Sequence, residues 1–337
     1  MRTPVGVAMS ALVALASVQA FAPRATAPLA ASHLPVQRMH LNTLSQSKAA
    51  LLAGGELGHV LFSRDEGKTW LPASLSKDRQ ALINQISFAA NGLDGVAVGH
   101  EGWILRSNDG GLSWREVAFD EQNGEPLMSV AQLPGGAWVA VGAFGRALIS
   151  DAKGEQWSRL ALPAEVEDKH LNRIVSSADR HTWLIVGERG LVLRSDDGGQ
   201  GWTVLPPFYK GSFYNAAPLK DGAWLVYGMR GNAFLSADGV GAWERAAIPA
   251  AVSFFSHMLA ADGRLTLVGQ GSLLASSSDG GRSFQLARAA GRATLTDVLQ
   301  QGGGGWLASD AGLQPLPAPD GTAAATSVQN DKTGTRR

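Results

Sequence analysis

Short apolar stretches separated by clusters of Gly, Asn, Asp and Ser run through most of the chain. The clearest unit contains apolar stretches at 83–90, 96–99, 103–107 and 113–119, with a turn cluster at 91–95 after the first. Short apolar or alternating runs bounded by such residues are typical of β-strands. The pattern therefore predicts four consecutive strands joined by tight turns.

This unit repeats along the chain. The turn before its fourth strand, "SNDGGLSW" at 107–114, has six full or partial copies, and their closing aromatic residues lie 41 to 45 residues apart. The closing residues are Trp70, Trp114, Trp157, Trp202, Trp243 and Phe284. Segments that fit the first strand begin at Leu41, Ile83, Leu127, Leu171, Phe213, Phe254 and Thr294. A period of this length with four strands per repeat predicts an all-β, seven-bladed β-propeller.

The polar turn, called here the Asp-box, has a structural explanation. Its Asp and Ser can accept hydrogen bonds from nearby backbone N–H groups, its Gly can adopt positive φ, and its aromatic residue can pack between sheets. The four complete copies are Ser63, Asp65, Gly67 and Trp70; Ser107, Asp109, Gly111 and Trp114; Ser195, Asp197, Gly199 and Trp202; and Ser277, Asp279, Gly281 and Phe284. Ala152 replaces Asp in the third box and Val240 replaces Gly in the fifth, so we expect two weaker turns. A calcium loop would need a later bidentate Glu, which the boxes lack.

The seventh repeat is incomplete because it has no recognisable fourth strand. A propeller must close its ring, so we predict that "PVQRMHL" at 35–41 supplies the outer strand of blade seven. The propeller then occupies 35–317. The tail at 318–337 is small and polar, and we predict that it is disordered.

The N-terminus has the pattern of an export signal. Arg2 precedes an apolar run at 5–18, and small residues fit cleavage after Ala20 or Ala22, with Ala20 favoured. The sequence predicts a signal peptide at 1–20, a linker at 21–34 and an exported protein, located in the periplasm or, in a photosynthetic host, the thylakoid lumen. The alternative is a membrane anchor, but the run is shorter than the roughly 20 residues of a spanning helix. We therefore expect no membrane span after cleavage.

Composition excludes several kinds of site. Lys plus Arg and Asp plus Glu both number 29, and this balance argues against a nucleic-acid partner. The chain has no Cys, and its seven His residues lack the spacing of a metal site. No metal and no cofactor are expected.

One face of the predicted disc carries the candidate binding residues. The turns between strands two and three, and the connections between blades, lie opposite the Asp-boxes and vary between repeats. The candidates for partner binding are His100, Glu101, Phe144, Glu188, Arg189, Phe208, Tyr209, Lys210 and Arg230. The alternative is that Glu188 and Arg189 pair with each other or with neighbouring turns and serve stability alone.

The repeated pattern V-G-x-x-G-x-(I/L)-x-x-S-x-D-x-G-x-x-W, over residues 41–317, resembles the photosystem II stability/assembly factor family. The resemblance implies a non-enzymatic, monomeric propeller that holds a membrane-protein client or envelope complex during assembly. It also implies that Arg189 and Arg230, at equivalent turns, contribute to client docking.

Two alternatives remain open. Asp-boxes also occur in sialidases and in sortilin-like receptors, so a glycoside hydrolase or a peptide-binding receptor is possible on the box alone. Glu101, Glu188 and Asp310 are candidate channel carboxylates for hydrolysis, although no spacing singles out a pair. We favour protein binding without catalysis.

Overall fold

The computed structural model describes residues 3–21, 36–122, 124–301 and 304–317. The chain divides into two units, residues 1–34 and 35–337. The first contains one α-helix, Thr3–Phe21. No helix in the described ranges is long and apolar enough to cross a membrane. Cleavage at Ala20 stays a prediction, and the predicted tail at 318–337 and nearly all of the predicted linker lie outside the described residues.

The second unit confirms the seven-bladed β-propeller. Each blade is an antiparallel sheet whose strands follow one another from the central channel outward. The inner strands are Leu41–Gln46, Ile83–Phe88, Leu127–Gln132, Leu171–Ser176, Phe213–Pro218, Phe254–Leu259 and Leu295–Gln301. The second strands are Leu51–Gly55, Gly95–Gly99, Trp138–Gly142, Trp183–Gly187, Trp224–Gly228, Leu265–Gly269 and Gly304–Ser309. Six inner strands begin at the predicted residue, and the seventh begins at Leu295 instead of Thr294.

The outer half of each blade is shorter. The third strands are Val60–Ser63, Ile104–Ser107, Ala147–Ser150, Val192–Ser195, Ala233–Ser236, Leu273–Ser277 and Gln314–Pro315. The fourth strands are Leu71–Pro72, Ser113–Ala118, Trp157–Arg159, Thr203–Val204, Glu244–Arg245 and Gln285–Arg288. Blade two gains a fifth strand, Ser74–Leu75, which pairs in parallel with its fourth. Short 3-10 turns occupy Val36–Arg38, Glu56–Gly58, His100–Gly102, Ala143–Gly145, Ala164–Val166, Glu188–Gly190, Lys220–Gly222, Met229–Gly231 and Gln270–Ser272.

The predicted outer strand of blade seven is wrong. Residues 36–38 form a 3-10 turn, and the sheet of blade seven has three strands within the described residues. The Leu316 N–H donates inward to Gly305 O at 2.9 Å, so the alternate positions Pro315 and Pro317 face outward. Proline has no N–H to donate, so this edge cannot hold a continuous fourth strand.

Packing between blades one and seven closes the ring instead. The Leu44 N–H donates to Asp297 Oδ2 at 2.7 Å, and the Thr296 hydroxyl donates to Leu41 O at 2.5 Å. A hydrophobic cluster fills the same seam, with these members: Val36, Met39, Leu41, Leu44, Ala53, Leu61, Ala308 and Leu313, together with Trp70, Leu299 and Trp306. The seam is therefore held mainly by side chains.

Candidate binding face

The turns between second and third strands share an unusual backbone conformation. In six blades the middle residue of the turn lies in the left-handed region, with φ between 51° and 66°. These residues are Leu57, Glu101, Phe144, Arg189, Arg230 and Gly271. For a residue other than glycine this conformation costs on the order of 1 kcal/mol. Blade six has glycine at this position and so avoids the strain, whereas the other five blades keep a side chain there. We call this end of the disc the binding face.

The first residue of the turn has a structural task in four blades. Its side-chain oxygen accepts the backbone N–H just before the inner strand of the same blade. The pairs are Glu56 with His40, Glu188 with His170, Gln270 with Ser253 and Asp310 with Thr294, each at 3.0 Å. Glu188 is one of the partner-binding candidates predicted from the sequence, but Oε2 of its carboxylate is already taken by this cap. The signal was visible as a recurring acidic or amide residue directly after the second strand, which ends in glycine in three of these four blades.

The basic candidates are free. Arg189, Arg230 and Lys210 are exposed. Among the described residues, none of their side chains takes part in an ion pair or donates a hydrogen bond to a protein group. Arg189 therefore does not pair with the adjacent Glu188. Two unpaired guanidinium groups at equivalent turns of neighbouring blades are suited to carboxylate recognition.

An aromatic residue extends the face toward blade three. The Phe144 side chain is 57% exposed, and its ring packs against His170 with the centroids 4.8 Å apart. His170 Nε2 lies 4.0 Å from Glu188 Oε2. Exposed Phe144 thus continues the surface that carries Arg189.

The other candidates contribute less to the exposed surface. His100 and Glu101 are half-buried, and the Asp120 N–H donates to the backbone oxygen of Glu101 at 2.9 Å. Phe208 stacks on Trp243 with the centroids 4.8 Å apart and an interplanar angle of 8°. Tyr209 packs against Phe213 and Phe234, both at 5.2 Å. Phe208 and Tyr209 therefore belong to the packing between blades four and five, which sequence reasoning missed.

A ring of residues at the channel mouth also escaped sequence analysis. Each inner strand contains a β-bulge, and its second residue is the extra one. These half-buried bulge residues are Asn42, Asn84, Met128, Asn172, Tyr214, Phe255 and Thr296. In four blades the bulge side chain donates to the backbone oxygen of the first inner-strand residue in the next blade, at 2.5 to 3.1 Å. The inner strands begin beside the turns just described, so this ring belongs to the binding face.

The Asp-boxes lie at the opposite end of the disc, the box face, and their polar groups are bonded internally. In the second box, Ser107 Oγ donates to Asp109 Oδ1 at 2.8 Å, and the Gly111 N–H donates to Ser107 Oγ at 2.9 Å. The Trp114 indole N–H donates to Gly111 O at 2.9 Å. Boxes one and four repeat all three bonds, and box six repeats the first two because Phe284 has no N–H.

The two irregular boxes compensate differently. The third box has Ala152 at the usual Asp position. The neighbouring Asp151 takes over the role of that Asp, since its carboxylate accepts a backbone N–H across the turn at 2.8 Å. In the fifth, which has Val240 in place of Gly, the Trp243 indole N–H is buried and has no acceptor among the residues that the structure describes. Only the fifth box therefore loses its tryptophan hydrogen bond.

The box carboxylates are committed to their own turns. The Thr69 hydroxyl, followed by the backbone N–H of Thr69, lowers the pKa of Asp65 to about 2. The backbone N–H of Gly241 leads the groups that lower the pKa of Asp238 to about 2. Within the described ranges, no group of His, Asp and Glu residues is arranged to hold a metal ion.

A polar pair lies between blades five and six. The Tyr227 hydroxyl and His257 Nδ1 are 2.7 Å apart. Burial raises the pKa of Tyr227 well above its usual value. Burial, assisted by the Arg173 charge, lowers the pKa of His257 to about 4. Both groups are therefore neutral at pH 7.

Comparison with known proteins identifies the family. The family model of the photosynthesis system II assembly factor YCF48 matches residues 73–247. No curated protein matches the sequence significantly. Among solved structures, YCF48 bound to D1 peptide is 18% identical, with a TM-score of 0.67, and the match covers 88% of this chain and 99% of that one. YCF48 from Cyanidioschyzon merolae is 16% identical, with a TM-score of 0.67 and coverage of 84% and 96%.

The same fold occurs outside the family. A catalytically inactive virginiamycin B lyase from Staphylococcus aureus with quinupristin is 12% identical, with a TM-score of 0.70 and coverage of 84% and 96%. Structural likeness at these identities shows the propeller fold alone. The family match is independent of that likeness and spans just over half of the 337 residues. The chain therefore belongs to the photosynthesis system II assembly factor YCF48 family.

Proposed function

We propose that this chain is an exported, monomeric, non-enzymatic scaffold that binds a segment of a membrane protein during assembly or stabilisation of a membrane complex. The observation that carries the proposal is the exposed, unpaired pair Arg189 and Arg230 on the binding face. Exposed arginines attract acidic segments and can hold carboxylates through two hydrogen bonds each. The client segment is therefore acidic.

The proposal is supported by the strained turns and by the family. Arg189 and Arg230 both have φ of 54°, a conformation that a purely structural turn would give to glycine. YCF48 in one related structure is bound to a D1 peptide. We propose the same kind of interaction here, in the periplasm or, in a photosynthetic host, in the thylakoid lumen.

The candidate carboxylates favour binding over hydrolysis. The carboxylates of Glu188 and Asp310, which are candidate hydrolytic groups, accept backbone N–H groups at 3.0 Å. A glycosidase of the usual type needs two carboxyl groups flanking its substrate.

The test is affinity purification of the mature chain from gently solubilised membranes, with mass spectrometry of the captured proteins. The test variant is Arg189→Glu/Arg230→Glu. Glu101 occupies the equivalent turn position in blade two, so the fold accepts this residue there. The matched control is Arg64→Glu/Arg282→Glu, which makes the same charge change at two exposed arginines on the box face.

We expect one membrane protein to co-purify with the wild type and the control and to be lost from the test variant. Capture with immature complexes supports an assembly role, whereas capture only with mature complexes would favour a receptor. Equal capture by all three chains would refute docking through the arginines.

A further inference from the structure

The bulge ring at the channel mouth is not uniform. Asn42, Asn84, Asn172 and Thr296 use their side chains to bond the next blade. In blades three, five and six the position carries Met128, Tyr214 and Phe255, whose side chains make no such bond within the described part of the chain. Three blades thus carry a larger side chain at the channel mouth in place of this interblade hydrogen bond. A repeat that departs from its own pattern and leaves the new side chains partly exposed points to a binding role.

Tyr214 and Phe255 form one continuous surface. Their rings stack across neighbouring blades, with the centroids 5.2 Å apart and an interplanar angle of 27°. Both remain partly exposed, whereas the preceding residues Phe213 and Phe254 are fully buried and fill the core. The stacked pair is therefore additional to the core.

The pair lies beside the basic turns. The inner strand Phe213–Pro218, which carries Tyr214, contacts the turn Glu188–Gly190 that carries Arg189, and the Gly190 N–H of that turn donates to Gly211 O at 2.6 Å. On the other side, the Arg230 N–H lies 3.5 Å from Ser253 Oγ, next to the start of the strand that carries Phe255. An apolar surface is thus flanked by two unpaired positive charges.

We propose that Tyr214 and Phe255 form a seat for one aromatic or branched aliphatic side chain of the bound peptide, with carboxylates on either side of that side chain held by Arg189 and Arg230. This inference rests on the proposed function and specifies its ligand as an acidic peptide with an apolar residue between the acids. The charge of the turns selects the flanking acids, and the stacked rings select the central residue.

The test measures fluorescence anisotropy with end-blocked synthetic peptides. Each peptide has two glutamates on either side of a central Phe, Leu or Ser, with several spacer lengths. The seat variant is Tyr214→Asn/Phe255→Asn. Asparagine is the residue of blades one, two and four at this position and can form their interblade hydrogen bond, so the variant is expected to fold. Leu71→Asn, at an exposed residue of an outer strand, is the control for loss of apolar surface elsewhere.

We expect the wild type and the control to bind the Phe peptide about tenfold more tightly than the Ser peptide, because a buried aromatic side chain supplies that much affinity. The seat variant should bind both peptides equally, at the Ser level. Arg189→Glu/Arg230→Glu should lose both peptides.

Discrimination that persists in the seat variant, or is absent from the wild type, would overturn the seat. In either case the proposed function survives if the arginine variant still weakens binding. No binding of any acidic peptide by the wild type would refute both.

Discussion

The Tyr227–His257 pair should make the stability of the propeller depend on pH. The corresponding positions between blades two and three carry an apolar pair, Val98 and Val130, in one hydrophobic cluster. His257 therefore replaces an apolar residue with one that can titrate. Because burial is the main cause of its lowered pKa, protonation of His257 opposes folding.

The sign and size follow from the two pKa values of His257, 6.5 in the unfolded chain and about 4 in the fold. Between these values the unfolded chain binds a proton that the folded chain rejects, so stability is full above about pH 6.5 and falls toward pH 4. Each unit of pKa difference corresponds to about 1.4 kcal/mol, and the total loss approaches about 3 kcal/mol. The side chain keeps some accessible surface, so water screens part of this cost and about 3 kcal/mol is an upper limit.

The measurement compares wild type with His257→Asn by urea unfolding, followed by tryptophan fluorescence, from pH 7.5 to pH 4. Asparagine can accept the Tyr227 hydroxyl near the Nδ1 position and does not titrate. The difference between the two chains isolates His257 from Asp297, whose pKa burial raises, so that its contribution to stability declines as the pH rises. The exposed His181→Asn is the control.

We expect the wild type to lose up to about 3 kcal/mol relative to His257→Asn as the pH falls through this range, while His181→Asn follows the wild type. A difference between wild type and His257→Asn that stays constant from pH 7.5 to pH 4 would refute the argument that His257 is held neutral in the fold.

Two further predictions concern single contacts. Trp202→Phe should lower the free energy of unfolding by about 1 kcal/mol more than Trp243→Phe, since the Trp202 indole donates to Gly199 O whereas the Trp243 indole has no acceptor. Equal losses in urea unfolding would contradict the difference between these boxes. Glu188→Ala should cost about 1 kcal/mol and Glu188→Gln very little, because Gln270 makes the same cap in blade six. Equal stability of the two variants by the same measurement would show that the cap contributes nothing.

The fold was predictable because the repeat supplies the same local information several times. Each Asp-box fixes a turn through its own Ser, Asp and Gly, so its sequence predicts its structure without reference to distant residues. The box spacing then places the inner strands, and six of the seven begin where predicted. The sequence predicted a fourth strand in blade seven because a propeller must close its ring. The absence of backbone N–H groups at Pro315 and Pro317 argues against that strand.

The candidate site was less predictable because its residues act across blades. The exposure of Arg189 and Arg230 could be predicted because both residues lie in turns that vary between blades. The inward position of Phe208 depends on stacking with Trp243, which lies in another blade. Tyr214 stands at a bulge position where three blades have Asn, and its contact with Phe255 of the next blade becomes visible only in the structure.

The seam between blades one and seven has a consequence for how the molecule can be re-engineered. The Leu313 N–H donates to Val36 O at 3.1 Å, so the two ends of the propeller meet at one seam. A short linker could join them there, and new termini could be opened in any exposed connection between other blades. The order of the blades along the chain would change, but each blade would keep the same two neighbours in the ring. Circular permutation would move the point of chain entry around the ring without altering the binding face.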